Sequence, residues 1–365
     1  MIYLDHAATS WPKPEPVLEA MRCWYEELGV SAGRGDSERC AAVSRVVSET
    51  RRRLGERCGV TADHVSFTSG ATESLNLFLR GVLRRGDRVL TTALEHSSVV
   101  RPLNALREQL ALHVDVIAPG EDGQLGDAEE RLAAGDYRLF VFSHAGNVLG
   151  QVLPAAELCA VARANGCLSL VDASQTAGLI SMDVGADAVA ASAHKSLLGP
   201  PGLGFLAVRP GTPLQICKQG GTGSAHALDQ HPETWPEAME AGTPNTPAIF
   251  GLDAALRWRE GQRADSLEAG LALVDQLRAA LSTRAQLLGP AAGPRVPILS
   301  FTLPDLDPAE VGVVLAEAGV HVRTGFHCAP WLHAHLGTAA SGTVRVSPGP
   351  FNTADDIDRL VEALA

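Results

Sequence analysis

Ala188-Val189-Ala190-Ala191-Ser192-Ala193-His194-Lys195-Ser196-Leu197-Leu198-Gly199-Pro200 is the stretch that decides the fold. Small apolar residues run up to Ser192 and predict a strand. Lys195 stands just beyond it, flanked by His194, Ser196 and a Gly-Pro-Pro-Gly turn at 199–202. An ammonium is costly to bury unless it is paired or gives up its proton. A lysine that gives up its proton is an amine nucleophile, able to form a Schiff base with a carbonyl. A single lysine at a strand end is more commonly a solvated side chain. The rest of the chain therefore decides between the two.

Outward from this strand, short β-branched or small apolar runs alternate with helical patterns. Strands are predicted at Val65–Thr68, Arg88–Thr92, His113–Ile117, Leu139–Ser143, Cys167–Val171, Ala188–Ser192 and Gly204–Val208. Helices are predicted between them at Thr72–Leu83, Ser98–Gln109, Gly126–Ala133 and Ala155–Asn165. That alternation is the mark of a mostly parallel sheet covered by helices. Such sheets bind ligands beyond the carboxyl ends of their strands, where Thr72, His96, Asn147, Asp172 and Lys195 all fall.

Upstream, Glu15–Leu28 reads as a helix, and Asp36 or Ser37 can cap a second that runs to about Cys58 with Val43, Val47 and Leu54 on one face. Gly59 ends it. Downstream, residues 214–246 form a long irregular segment, of a length that is more often functional than idle. A helical region is predicted from Ala248 to about Leu288. A smaller α+β pattern then follows: strand Ile298–Leu303, helix Pro308–Glu317, strands His321–Arg323 and Thr343–Val346, and helix Ala354–Leu364. The expected division is a large domain over 15–250 and a small one made of 1–14 with 251–365.

Composition narrows the class. The chain has 365 residues, 45% hydrophobic and 20% charged, with a net charge of −12. An acidic balance disfavours a nucleic-acid backbone as a general partner. Seven cysteines with no CxxC spacing argue against a disulfide framework and for a reducing cytosol. The N-terminal residues lack the basic and apolar regions of a signal peptide, and no apolar run reaches membrane-spanning length. A soluble cytoplasmic protein is expected.

Three local patterns carry chemistry. Ser69-Gly70-Ala71-Thr72-Glu73-Ser74 lies between a strand and a helix, where small residues let backbone N–H groups approach an anion; a plain helix cap is the alternative. It lacks the Gly-Lys-Ser/Thr of a nucleotide-binding P-loop, and no G-x-G-x-x-G follows the first strand. Asp172 ends an apolar strand, either as a cap or as a carboxylate for a protonated ring nitrogen. His96 follows another strand, where it can stack on an aromatic group or serve as a polar strand end.

In this order, the motifs resemble those of the class V aminotransferase-like family of pyridoxal phosphate enzymes, and within it the cysteine desulfurase and selenocysteine lyase group. The resemblance spans nearly the whole chain. It rests on Tyr3-Leu4-Asp5-His6-Ala7-Ala8, Ser69 to Ser74, Glu95-His96, Ser143 to Gly150, Val171 to Gln175, Ser192 to Pro200, Ala241 to Thr246 and Arg323 to Cys328. It implies an α/β fold of type I, with a large domain on a mostly parallel seven-stranded sheet and a smaller α+β C-terminal domain.

The resemblance also implies roles. Lys195 is expected to be the Schiff-base lysine and proton carrier. Asp172 would pair with the cofactor's pyridinium nitrogen, Gln175 with its phenolic oxygen, and His96 would stack on its ring. Ala71, Thr72, Ser192 and His194 would hold the phosphate of pyridoxal 5′-phosphate, joined by Thr243 from a second subunit, so a homodimer with shared sites is implied. Asn147 and Arg345 would grip the substrate carboxylate, a task for which arginine's planar fork is suited.

Cys328, in Arg323-Thr324-Gly325-Phe326-His327-Cys328-Ala329-Pro330, resembles the family's catalytic cysteine. Its thiolate would take sulfur from L-cysteine as a persulfide and leave L-alanine, with His327 or Arg323 assisting. The motif is short and resembles the group with a compact cysteine loop. The other six cysteines are expected to be buried and inert. His321, His327, Cys328, His333 and His335 are close in sequence, but their spacing follows no familiar zinc pattern, so no metal is expected. The segment Ser31–Asp36 lacks a histidine common in that loop of the family, and Phe326 stands where the family often shows a bulky residue or a histidine. Selenocysteine lyase or another C–S lyase is the alternative activity; a cofactor-less scaffold of the same fold is the non-enzymatic one. A sulfur-acceptor protein is implied as a partner.

Overall fold

The computed structural model describes residues 1–33, 37–120, 123–223, 229–261 and 265–365. The chain begins with β1 (Ile2–Tyr3), α1 (Glu15–Cys23) and α2 (Glu38–Cys58). α1 continues as a π-helical turn over Trp24–Leu28, so the first predicted helix is present but widens at its end. Ser37 caps α2, its side chain accepting from the Cys40 N–H at 3.2 Å. Asp36, the other candidate cap, lies outside the described residues with Arg34 and Gly35. Gly59 ends α2 at φ 68°, the left-handed position that glycine adopts at no steric cost.

Next come β2 (Val65–Thr68), α3 (Ala71–Val82), β3 (Arg88–Thr92), α4 (Ser97–Leu110), β4 (His113–Ile117), α5 (Ala128–Ala134), β5 (Leu139–Ser143), α6 (Ala155–Ala164), β6 (Leu168–Asp172), β7 (Ala188–Ser192) and β8 (Gly204–Val208). The seven strands β2–β8 form one sheet in the order β2-β8-β7-β6-β5-β3-β4. β8 is antiparallel to both its neighbours, and the other pairings are parallel. Six strands therefore share one direction, as the sequence pattern predicts.

Both faces of the sheet are covered. Phe140, Phe142, Val171, Val189, Ala191 and Phe205 pack with α2, α5 and α6 on one side. Leu139, Val141, Leu170, Ala188, Ala190 and Leu206 pack with α3 and α4 on the other. Alternate residues of each central strand thus enter opposite cores, which is why these strands are apolar throughout.

The helical region predicted from Ala248 to Leu288 is α7 (Thr246–Gly261) and α8 (Asp265–Leu281), and its last residues belong to a strand, β9 (Gln286–Leu288). α7 carries apolar side chains into the large sheet's core as far as Leu256. β10 (Leu299–Thr302), α9 (Pro308–Glu317), β11 (Val320–His321), β12 (Arg323–Gly325), α10 (Pro330–His335), β13 (Thr343–Val346) and α11 (Ala354–Ala363) complete the chain. The single strand predicted at His321–Arg323 is split: β11 pairs with β1, whereas β12 joins the antiparallel sheet β12-β13-β10-β9. Leu4 is buried in the same core as Leu273, Leu277, Phe301, Val311, Val344 and Ile357, so the N-terminal residues are built into this C-terminal layer. No helix of the described residues is long and apolar enough to cross a membrane.

Candidate active site

The common strand direction sends a row of carboxyl ends to one edge of the large sheet. Ala71 and Thr72 follow β2, His96 follows β3, Asn147 follows β5, Asp172 is the last residue of β6, and Ser192, His194 and Lys195 end or follow β7. β12, its following loop and β13 add Arg323, Cys328 and Arg345, and the N-terminal segment adds Ala7 and Ala8. Together these residues line a cavity of about 230 Å³. Of the site residues expected from sequence, all but Gln175 and Thr243 meet here. Gln175 is adjacent: its Nε2 donates to the Ala7 carbonyl at 3.0 Å, and it shares a smaller cavity with Lys195 and His6. Thr243 lines a separate groove with Ser69, Glu73 and Gly202.

The turn after β2 is tied to the strand that carries the lysine. The Ala71 N–H donates to Ser192 Oγ at 2.9 Å, and Thr72 Oγ1 lies 2.7 Å from Ser98 Oγ. Gly204 permits the approach, because a Cβ there would meet the Gly70 Cα at 2.5 Å. The His194 carbonyl, one bond before Lys195, accepts from the Ser10 N–H at 2.8 Å, Ser10 Oγ at 3.0 Å, Thr9 Oγ1 at 3.2 Å and Lys13 Nζ at 2.9 Å. The backbone beneath Lys195 is thereby fixed by residues from the start of the chain.

Burial pushes the Lys195 ammonium down from its usual pKa; Asp172 opposes the shift, and Arg345 and Arg323 add to it. A shift in that direction eases loss of the proton. Asp172 is buried, and its Oδ1 accepts from the Ser174 N–H at 2.9 Å. His96 caps α4, Nδ1 accepting from the Ser98 N–H at 3.1 Å. With Nδ1 as acceptor, the neutral ring carries its proton on Nε2. Burial, helped by the Lys195 charge, pushes His96 down to about 4, so the ring is neutral near pH 7.

Behind His96, Glu95 is fully buried in the crevice between β3 and β5, where successive strands are laid down in opposite directions. Its carboxylate accepts from Thr92 Oγ1 at 2.6 Å, the Ser143 N–H at 2.9 Å and Ser143 Oγ at 3.0 Å. Burial raises it to about 7 against these bonds. Arg345 is buried as well. Its Nη2 pairs with Asp5 Oδ1 at 2.7 Å, and its Nη1 donates to the Asn147 carbonyl at 3.0 Å.

Cys328 is exposed on the cavity wall, with Arg323 Nη2 4.0 Å from its Sγ. His327 and Cys328 are both left-handed, at φ 47° and 58°. For residues with a Cβ this conformation costs about 1–2 kcal/mol each. His327, the other candidate helper of the thiol, turns its Nε2 to Thr343 Oγ1 at 2.9 Å, and burial pushes its pKa down to about 2. Of the two candidates, Arg323 is the one whose side chain meets the thiol. Cys58 and Cys159 are buried, and burial raises their thiols to about 12 and 11. Two of the six depart from the expected burial: Cys23 is half-buried and Cys217 is exposed.

Among the histidines near Cys328, the rings of His327 and His333 lie 5.8 Å apart, and the others turn to separate partners. His321 stacks on Tyr3, His333 Nδ1 lies 2.7 Å from Thr338 Oγ1, and His335 Nε2 lies 3.1 Å from the Pro119 carbonyl. Among the described residues no three His, Cys, Asp or Glu side chains are grouped to hold a metal ion.

Five cavity residues keep a buried polar atom without a partner among the described residues: Ser174 Oγ, His194 Nδ1, Asn147 Oδ1, His327 Nδ1 and Arg345 Nε. Each such atom costs about 1–3 kcal/mol unless something satisfies it. A polar guest with both donors and acceptors fits this wall. Sequence reasoning had assigned no role to Asp5, Glu95 or Ser98, nor to the backbone of Ala7 and Ala8. Asp5 and Glu95 lie inside quoted motifs, but what their side chains touch is set by segments far away in the chain.

A family model described as aminotransferase class-V matches residues 2–360. The chain belongs to this family. Among its class-V relatives, a probable cysteine desulfurase of Methanothermobacter thermautotrophicus is 33% identical over 379 residues, covering 100% of this chain and 94% of the relative. A cysteine desulfurase of Salmonella agona is 32% identical, covering 100% and 92%. The apo structure of a cysteine desulfurase from Thermococcus onnurineus superimposes with a TM-score of 0.92 at 30% identity, covering 100% of this chain and 93% of that one. The seven-stranded sheet is thus a class-V sheet, and the cavity at its carboxyl edge lies where ligands of such sheets bind.

Proposed function

We propose that the chain is a pyridoxal phosphate-dependent cysteine desulfurase, which takes sulfur from L-cysteine, releases L-alanine and carries the sulfur as a persulfide on Cys328. The observation that carries this reading is the convergence of a half-buried lysine, a buried carboxylate and an exposed cysteine on one cavity. The full-length likeness to relatives named cysteine desulfurase supports it.

In this reading Lys195 would hold the cofactor aldehyde, Asp172 the ring nitrogen and Gln175 the phenolic oxygen, with His96 against the ring. Ala71, Thr72, Ser192 and His194 would take the phosphate, and Thr243 would reach it from the partner subunit of a homodimer. The unpartnered His194 Nδ1 and Ser174 Oγ fit such a guest. When bound, pyridoxal phosphate supplies an electron sink for the substrate's α-carbon.

The chain's own residues do the rest. Arg345 and Asn147 grip the substrate carboxylate, for which the free Arg345 Nε is suited. Lys195, whose ammonium is disfavoured by burial, carries protons at the α-carbon. The Cys328 thiolate, beside the Arg323 guanidinium, attacks the substrate sulfur. The new S–S bond forms as the C–S bond breaks; the bonding pair stays with carbon, which is protonated to give alanine. An exposed persulfide suits hand-over to an acceptor protein, and a free thiol suits the cytoplasm. The division into a large domain of 15–250 and a small domain of 1–14 with 251–365 would place Lys195 and Cys328 on different domains.

The test is a visible absorption spectrum of the purified protein, followed by L-cysteine with assays for alanine and sulfide. A cofactor band that Lys195→Ala loses, with alanine formation that Cys328→Ser abolishes, is the expected result. Alanine formed equally well by Cys328→Ser would refute the persulfide step. A cofactor band with activity on selenocysteine alone would favour a selenocysteine lyase, and no band after added cofactor would leave a scaffold.

A further inference from the structure

We infer that Ser97 and Asn147 are positioning residues that clamp the Cys328 thiol loop in its left-handed conformation. The inference rests on the reading of Cys328 as the reacting thiol. His327 and Cys328 are consecutive and both left-handed, although neither is glycine. Such a pair persists only where its surroundings over-determine it. Both of its carbonyls are held from the large-sheet side. Asn147 Nδ2 donates to the His327 carbonyl at 2.6 Å. The Ser97 N–H and Oγ donate to the Cys328 carbonyl at 2.7 and 3.1 Å. The Ala329 N–H closes the turn onto the Phe326 carbonyl at 2.9 Å.

Each donor is committed by its place. Ser97 is the first residue of α4, whose leading N–H groups have no partner within the helix, so the Cys328 carbonyl occupies that helix end. Its neighbour His96 faces the cavity, so one helix terminus sets both the imidazole and the thiol loop. Only the NH₂ side of the Asn147 amide can face the His327 carbonyl, because two oxygens would repel. The second N–H of that group remains for a substrate. Released from these clamps, the loop would relax to an ordinary backbone conformation and swing Sγ away from Arg323 and Lys195.

Ser97→Pro removes both Ser97 donors and leaves α4 intact, because proline is at home at the first helical position and His96 is already extended, at ψ 153°. Asn147→Asp exchanges the donor for an acceptor of equal shape, and Ser97→Thr keeps both donors. Iodoacetamide labelling without substrate, with exposed Cys217 as internal reference, reads the thiol directly. The Cys328-to-Cys217 rate ratio is expected to fall about threefold or more in Ser97→Pro and Asn147→Asp, as the thiol leaves its cationic surroundings. For alanine formation, kcat is expected to fall about 10–100-fold in Ser97→Pro with KM for cysteine held. Ser97→Thr should keep both values near wild type. If Ser97→Pro does not fold, Ser97→Ala removes the Oγ contact alone, and its labelling ratio should still fall. An unchanged ratio in folded Ser97→Pro and Asn147→Asp, or in Ser97→Ala, overturns the clamp. A changed ratio in a protein whose Cys328→Ser variant still forms alanine keeps the clamp and overturns the desulfurase step.

Discussion

Asp5→Asn tests whether the buried Asp5–Arg345 pair holds the N-terminal segment against the site. Asp5 is 6% and Arg345 2% exposed, and they meet at 2.7 Å. With an effective dielectric near 20 and charge centres about 4 Å apart, their attraction is about 4 kcal/mol. Removing one partner of such a pair costs about 3–5 kcal/mol, because the other charge is left buried. Here the stranded guanidinium would keep one bond, to the Asn147 carbonyl, and an Nε already without a partner. Urea unfolding followed by tryptophan fluorescence should therefore show Asp5→Asn about 3 kcal/mol less stable than wild type. Arg345→Met should lose a similar amount, since it strands the carboxylate. The double variant leaves no unpaired charge and should recover at least about 2 kcal/mol relative to the sum of the singles. Losses that add within about 0.5 kcal/mol would refute the reasoning, because they would mean that the two charges do not sense each other.

Two further outcomes follow from packing and titration. Gly204→Ala places a Cβ 2.5 Å from Gly70 Cα and 2.8 Å from the Ala191 carbonyl, so it should destabilise the fold by about 1–3 kcal/mol and weaken cofactor binding; unchanged stability in urea would contradict the close approach. Buried His6 and His144 are each pushed by burial to about 4. Between that value and the ordinary 6.5 the unfolded chain binds more protons, so stability is complete above about pH 6.5 and falls as the pH drops towards 4. At pH 5 each costs about 2 kcal/mol. Glu95, raised to about 7, works in the opposite sense: it favours the folded state at low pH and loses that contribution as pH rises through 4.5 to 7. Urea midpoints at pH 7.5 and 5 should show a net loss on acidification, and a higher midpoint at pH 5 would contradict the neutral burial of these histidines.

The large sheet was legible because each strand is short, apolar and bounded by turn residues; its seven strands fall within one residue of their predicted limits. The C-terminal half was less so. Gln286–Leu288 continues a helical pattern, yet it pairs with β10, a contact that local periodicity cannot encode. Val322 interrupts what reads as one strand because its two halves find partners in different sheets. In the site, Lys195, Asp172, His96 and Cys328 stood out because each has unusual chemistry at a strand end or beside a glycine. The contacts of His327 were not legible in the same way, since its neighbour in sequence is Cys328 and its Nε2 meets distant Thr343. Asp5 and Ser97 were hidden because serine and aspartate have ordinary local uses as caps, and only the fold brings in their distant partners.

The pairing of β1 with β11, and of Asp5 with an arginine 340 residues away, also sets a clock on biosynthesis. A ribosome adding about 5–20 residues per second needs roughly 20–70 s to make the chain between those partners. Through that interval the first ten residues have neither their strand partner nor their counter-charge, so the nascent chain holds the peptide before Lys195 without its final anchor. Lys195 is therefore set in place only when the last strands have emerged, and unfinished chains carry the lysine without the pocket that surrounds it.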